Sequence, residues 1–182
     1  INKRVTPIVS ITVNHENCEN IEEIFKYLTE ERKIDSIKCT VVRDEGVYHT
    51  PDQKKQKIFQ AYSWLTNKIN YMQKKEKLNN YNASTIQGRL HNKKDAISWK
   101  LIKKMYLKPK YISPCHAGSL FGIVTASGLV YPCEILEDKL IGNLRENEMN
   151  FMKIWESAIA KNTKDFILKT NCNCSYECAL TY

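Results

Sequence analysis

The sequence predicts an α/β fold, and three observations carry the prediction. Residues 8–13, I-V-S-I-T-V, and residues 36–42, S-I-K-C-T-V-V, are short runs dominated by β-branched side chains, the composition of strands. Between them Ile21, Ile24, Phe25 and Leu28 recur at helical spacing, so one face of an intervening helix is apolar. Strand, helix and strand within so short a stretch form a βαβ unit, with parallel strands and a right-handed crossover. Further on the character changes. F-G-I-V-T-A, then Ser127-Gly128, then L-V-Y-P-C reads as a tight hairpin, because Ser-Gly supplies the turn between two apolar runs.

The other elements follow in order. Asn20 precedes the first helix and Glu23 lies three residues on, the pattern of a capping box. Pro51 opens a longer helix whose buried stripe is Ile58, Tyr62, Leu65, Ile69 and Met72, with Lys54, Lys55, Lys57, Lys74, Lys75 and Lys77 on its other faces. Residues 78–92 are Asn-rich and aperiodic, which predicts a long loop. A helix from about Asp95 to Leu107 turns Ile97, Leu101, Ile102 and Met105 inward, and Pro109 and Pro114 end it. Ile141-Gly142-Asn143-Leu144 reads as a turn, and Phe151, Ile154, Trp155, Ala158 and Ile159 as one amphipathic helix with Trp155 in the core. Three regions result: a βαβ unit over 1–50, a helical connection over 51–112 that holds the loop 78–92, and a small α+β hairpin-and-helix domain over 113–182.

Composition bounds the function. The chain has 182 residues, 42% apolar and 26% charged, which excludes wholesale disorder. No apolar run approaches the roughly 18 residues of a membrane span, so no membrane partner is expected. No fixed period marks a solenoid. Residue 1 is Ile rather than Met, and we expect that the gene product starts further upstream. The net charge of +8 comes largely from lysines on helix faces between 54 and 110. Without a paired aromatic motif of the kind an RNA-reading sheet uses, these read as a solvated helix face. Nucleic acid is therefore not the expected partner, and a basic nucleic-acid-binding domain stands as an alternative reading, beside an acidic peptide partner.

The cysteines carry the chemistry. Cys18 and Cys39 are isolated, and Cys39 alternates with Ile37 and Val41 as a small buried hydrophobe would. Cys115, Cys133, Cys172, Cys174 and Cys178 crowd the last part of the chain, the final three as C-N-C-S-Y-E-C. The chain holds seven cysteines in all, an odd number that disulfide pairing would leave incomplete. A metal or cluster site in a reducing compartment explains the crowding better. An iron–sulfur cluster takes four thiolates. Structural zinc also takes four, commonly in C-x2-4-C knuckles. Cys174-x3-Cys178 satisfies that spacing, whereas Cys172-x-Cys174 and the long interval from Cys115 to Cys133 do not. A zinc-stabilised, non-catalytic interaction module thus stays open beside the iron–sulfur reading.

The blocks C-H-A-G at Cys115, G-L-V-Y-P-C at Cys133, I-G-N-L, I-W-E-S and C-N-C-S-Y-E-C-A-L occur in this order over about 113–180. Together they resemble the C-terminal auxiliary-cluster region of radical S-adenosylmethionine (SAM) enzymes, the SPASM and shorter twitch domains. The strand–helix–strand ending in Val41-Val42-Arg43 resembles the late βα units of the partial TIM-like barrel of those enzymes. The resemblance implies one auxiliary 4Fe–4S cluster, because the longer cysteine series of a full SPASM region is missing. Its ligands would be Cys115, Cys133 and Cys178, with Cys172 and Cys174 competing for the fourth place. It also implies SAM as cofactor of the intact enzyme and a peptide, protein or small-molecule substrate. The family's C-x3-C-x2-C motif, which binds the catalytic cluster and SAM, is absent from this chain. We therefore expect the C-terminal half of such an enzyme, inactive alone, in need of an N-terminal radical SAM half, and exposing a strand edge which that half would cover. Asn14 and Arg43 lie just past the two strand ends, where βα barrels place their active sites, and are candidates for contact with SAM or substrate. Thiolate chemistry places the protein in the cytoplasm.

Overall fold

Two parallel strands, β1 (Val9–Val13) and β2 (Ile37–Val41), pair in register from Val9 opposite Ile37 to Val13 opposite Val41 in the computed structural model, which describes residues 7–43, 52–81 and 83–175. Side chains alternate across a strand. One face of the pair accordingly buries Ile11, Val13, Ile37, Cys39 and Val41. The other carries Ser10, Thr12, Lys38 and Thr40, exposed or half-buried. The described residues fall into two units, divided between Lys108 and Pro109. In the first, the crossover between the strands is α1 (Ile21–Lys26), continued by a π-helical segment, Tyr27–Glu31.

The capping box at Asn20 does not form. Asn20 has φ −111° and ψ 14° and its side chain caps nothing, because an N-cap needs the extended conformation to aim its oxygen back at the helix. Asn20 contributes its backbone carbonyl to Ile24 instead.

Helix α2 (Asp52–Lys74) packs on both strands. Pro51 lies outside the described residues. Ile58, Tyr62, Leu65 and Ile69 are fully buried, as their spacing predicts, while Met72 is half-buried and Gln73 takes the buried position. Phe25 of α1 meets Trp64 of α2 edge-to-face at 5.8 Å, a favoured aromatic geometry.

The expected loop 78–92 is only half a loop. Helix α3 runs Ile86–Leu107, and the Thr85 hydroxyl accepts the Gly88 N–H as its N-cap. Its first turns escaped the sequence reading because Ile86 and Leu90 point outward, 72% and 62% exposed, so no inward period marks them. Ile97 was expected inside and is 61% exposed; the true stripe is Asp95, Ser98, Trp99, Ile102, Met105 and Tyr106. In the remaining loop, Asn80 accepts from the Ile37 N–H at 2.9 Å and donates to the Ile37 carbonyl. A side-chain amide thus stands in for a neighbouring strand at this end of β2, one way to blunt an edge. The sheet shows a βαβ unit; it does not show a barrel.

The second unit holds a three-stranded antiparallel sheet of β3 (Ile123–Val124), β4 (Leu129–Tyr131) and β5 (Gly142–Asn143). The hairpin turn closes through Gly128 N–H to Thr125 carbonyl at 2.9 Å. Gly128 has φ +89°, a conformation that costs glycine nothing. The expected turn at 141–144 is instead strand β5 on the edge of β4, followed by a 3₁₀ turn, Leu144–Asn147. The single helix expected over 151–159 is two helices, α4 (Phe151–Trp155) and α5 (Ala158–Lys169). Ser157 separates them, since its hydroxyl accepts from Ala160 N–H and starts a new helix. Val130, Ile141, Ile154 and Ala160 form one core, against which Trp155 packs half-buried. No helix among the described residues is long and apolar enough to cross a membrane.

Candidate functional site

Four of the five late cysteines meet in the second unit. Cys115, Ala117 and Ile167 form a buried cluster, and Cys133, Cys172, Cys174, Phe121 and Leu136 pack against it. Each cysteine arrives on its own piece of local structure. Cys115 precedes a turn in which His116 carbonyl accepts from Ser119 and Leu120, and Gly118 N–H donates to Phe121 carbonyl at 2.8 Å. Gly118 sits at φ +74°, and a Cβ there would meet Pro132 at 3.4 Å. Cys133 follows Pro132 directly off the end of β4. The turn after Cys115 and the end of the hairpin therefore close on each other through a position that favours glycine.

Cys172 is placed by the end of α5. Lys169 is the last helical residue, Thr170 is the C-cap and Asn171 has φ +50°. Cys172 N–H donates back to Ile167 carbonyl at 3.1 Å and Asn171 N–H to Leu168 carbonyl at 3.3 Å. This pair of bonds is a Schellman motif, and Cys172 packs against the buried cluster of Cys115, Ala117 and Ile167. The left-handed turn swings the chain back, so Cys172 and then Cys174 return to the floor made by Ile167.

The thiols feel one another. Cys172 donates a hydrogen bond to Cys115 and draws its thiol down to about 6, against burial; the Ala117 backbone N–H and the adjacent His116 act in the same direction. Cys172 moves the opposite way, well above the ordinary thiol value of 9.0. It holds the shared proton and is half-buried, and Cys115, Cys133 and Cys174 place negative charge around it. Cys115 is buried, and Cys133, Cys172 and Cys174 are half-buried and in no disulfide. Among the described residues no three His, Cys, Asp or Glu side chains are arranged to hold a metal ion; what the four cysteines share is the apolar cluster with Ala117 and Ile167. Thiols beside an apolar lining are soft donors of the kind that iron–sulfur clusters take.

Cys178 lies outside the described residues. Cys18 and Cys39 are buried in the first unit, away from any partner cysteine in sequence. Asn14 and Arg43 both stand at the carboxyl end of the parallel pair, where Val42 N–H still bonds Val13 carbonyl at 2.8 Å. The Asn14 side-chain oxygen accepts from the backbone of Glu16 and Asn17, an Asx turn that shapes its own loop. Arg43 is half-buried. The sequence reading overlooked Ile167 and Asn171. The signal for Asn171 was present: Asn directly after Lys169 and Thr170 is a helix-stop pattern.

Comparison with curated proteins and with solved structures found no match. Residues 115–179 match the family model of SPASM, an iron–sulfur cluster-binding domain, which is found in radical SAM enzymes and implies iron–sulfur cluster binding for this segment.

Proposed function

We propose that residues 113–182 form the auxiliary cluster region of a radical SAM enzyme and hold one 4Fe–4S cluster. Cys115, Cys133 and Cys178 serve as ligands, and Cys172 or Cys174 takes the fourth place. One observation supports this above the others: four cysteines from three separate segments pack on one apolar floor around Ile167. When bound, such a cluster supplies a one-electron relay or a point of attachment for substrate. The chain's own part is to hold the sulfurs, present Cys115 readily as thiolate, and limit water through Ile167, Ala117 and Phe121. SAM and the catalytic cluster belong, in this reading, to an N-terminal half bearing C-x3-C-x2-C. The substrate is a peptide, a protein or a small molecule. Asn14 and Arg43, at the carboxyl end of β1 and β2, face SAM or substrate in the intact enzyme. A thiolate-held cluster fits the cytoplasm.

The test is anaerobic. The chain is reconstituted with iron and sulfide, and iron, sulfide and zinc are counted alongside the EPR spectrum of the dithionite-reduced protein. About four iron and four sulfide per chain, lost in Cys115→Ala and Cys133→Ala, is the expected result. One zinc and no sulfide per chain would overturn the proposal in favour of a zinc-stabilised module.

A further inference from the structure

Two of the four gathered cysteines are in direct contact. Cys172 donates a hydrogen bond to Cys115, while Cys133 and Cys174 act on Cys172 as charges. The ligands of one iron–sulfur cluster bind separate irons and are held apart by it. A thiol pair in contact is set for a different reaction, the formation of a disulfide.

Both sulfurs are held in place by their surroundings. The Ala117 N–H donates to the Cys115 sulfur, and Cys115, Ala117 and Ile167 are buried together. Cys172 is pinned through its own N–H, which donates to Ile167 carbonyl at 3.1 Å behind the left-handed Asn171. Side chains that are already ordered lose little further rotamer freedom on joining. The remaining movement is small, from a thiol–thiol contact to an S–S bond of about 2.0 Å. Cys172 is half-buried rather than sealed, so a small oxidant can reach the pair through it.

We propose that Cys115 and Cys172 form a reversible disulfide that closes the cysteine site to cluster loading, with a peroxide as the oxidant. One sulfur attacks the peroxide, the O–O bond breaks, one oxygen leaves as water and the other stays on sulfur as a sulfenic acid. The second sulfur then displaces that hydroxyl group as another water. The two thiols give up two electrons and two protons, and hydrogen peroxide takes them to become two molecules of water. A thiol reductant reverses the bond by exchange. The disulfide consumes Cys115 and one candidate for the fourth ligand place, so the four-thiolate site proposed above cannot be completed. This gate rests on the cluster-binding function; the bond itself does not.

The experiment starts from the full chain, reduced and kept from oxygen. Stoichiometric hydrogen peroxide is added, the remaining thiols are alkylated, and linked peptides are identified by mass without reduction. Cys115 joined to Cys172 is the expected main product. The same treatment in guanidinium, where the fold is lost, should scatter the pairs. The oxidised folded chain should then lose its uptake of iron and sulfide, and a thiol reductant should restore it. A different main pair, pairs as scattered as in guanidinium, or full iron uptake by the oxidised chain would overturn the proposal. Metal in the untreated, reduced chain tests the earlier function instead. Zinc without sulfide there fails that function, while the mapped pair still decides this bond.

Discussion

Asn171 should control whether Cys172 reaches the cysteine site. Its φ of +50° costs an ordinary L-residue about 1–2 kcal/mol, less for Asn, nothing for Gly, and most for a β-branched residue. Asn171→Gly relieves that strain but gives back about 0.5–1 kcal/mol of chain entropy, so it is expected to be close to neutral. Asn171→Val is expected to destabilise the turn by about 1–2 kcal/mol. The two bonds at risk are Cys172 N–H to Ile167 carbonyl and Asn171 N–H to Leu168 carbonyl. Amide hydrogen exchange at Cys172 reads the first directly, and 1–2 kcal/mol corresponds to roughly 5- to 30-fold faster exchange. Iron content after reconstitution reads the consequence. Unchanged exchange in Asn171→Val would refute the argument that the left-handed turn orients Cys172. Faster exchange with full iron content would keep the turn and give the fourth ligand place to Cys174.

Other outcomes follow from single contacts. In Gly122→Ala the new Cβ would lie 2.7 Å from two ring carbons of Trp155 and 2.9 Å from Tyr131 carbonyl. A loss of about 1–3 kcal/mol and an altered Trp155 emission are expected, and unchanged stability would contradict this packing. Thr85→Ala removes the cap on Gly88 N–H and should cost about 1 kcal/mol, seen as faster exchange at Gly88 with the centre of α3 unaffected. Glu19 is held down to about 2 by hydrogen bonds and charge from Lys54 and Lys57, each 2.7 Å away. A carboxyl lowered in the folded state stabilises above its ordinary value of 4.5 and loses that contribution as pH falls from there toward 2. Because the pair is exposed, the effect should be small and should fade in high salt. Glu19→Gln should flatten the stability profile across this interval, and an identical profile would remove the pairing.

The elements that the sequence revealed are those with a clean period. Ile58, Tyr62, Leu65 and Ile69 announced α2 because every one of them is fully buried. The parallel strands were legible from β-branched runs, and the hairpin from Ser127-Gly128. What escaped had no period to read. The start of α3 depends on a single Thr cap while its apolar residues face out. The break between α4 and α5 depends on Ser157, a residue that reads equally well inside a helix face. Asn20 failed the other way: it matched a capping pattern, but its backbone left the extended region the cap requires. At the candidate site the cysteines themselves were visible, but Ile167, the residue they gather on, looked like one apolar position among many. That Asn80 would pair with Ile37 lay beyond any local pattern, since the contact spans 43 positions.

The cysteine site also fixes an order of assembly. Cys115 and Cys133 belong to a turn and a hairpin, which form from near neighbours. Cys172 and Cys174 join them only after the whole of α5 has been made and its Schellman turn has closed against Ile167. Bringing in the last segment means closing a long loop, a cost set by chain separation, and proteins are made from the N-terminus onward. The nascent chain therefore displays two thiols well before the others can reach them. During that interval the half-built pocket is an open pair of sulfurs, able to capture a stray ion or oxidant. Closure of the site has to wait for the turn at Asn171, so the later pair of cysteines completes the enclosure that the earlier pair begins.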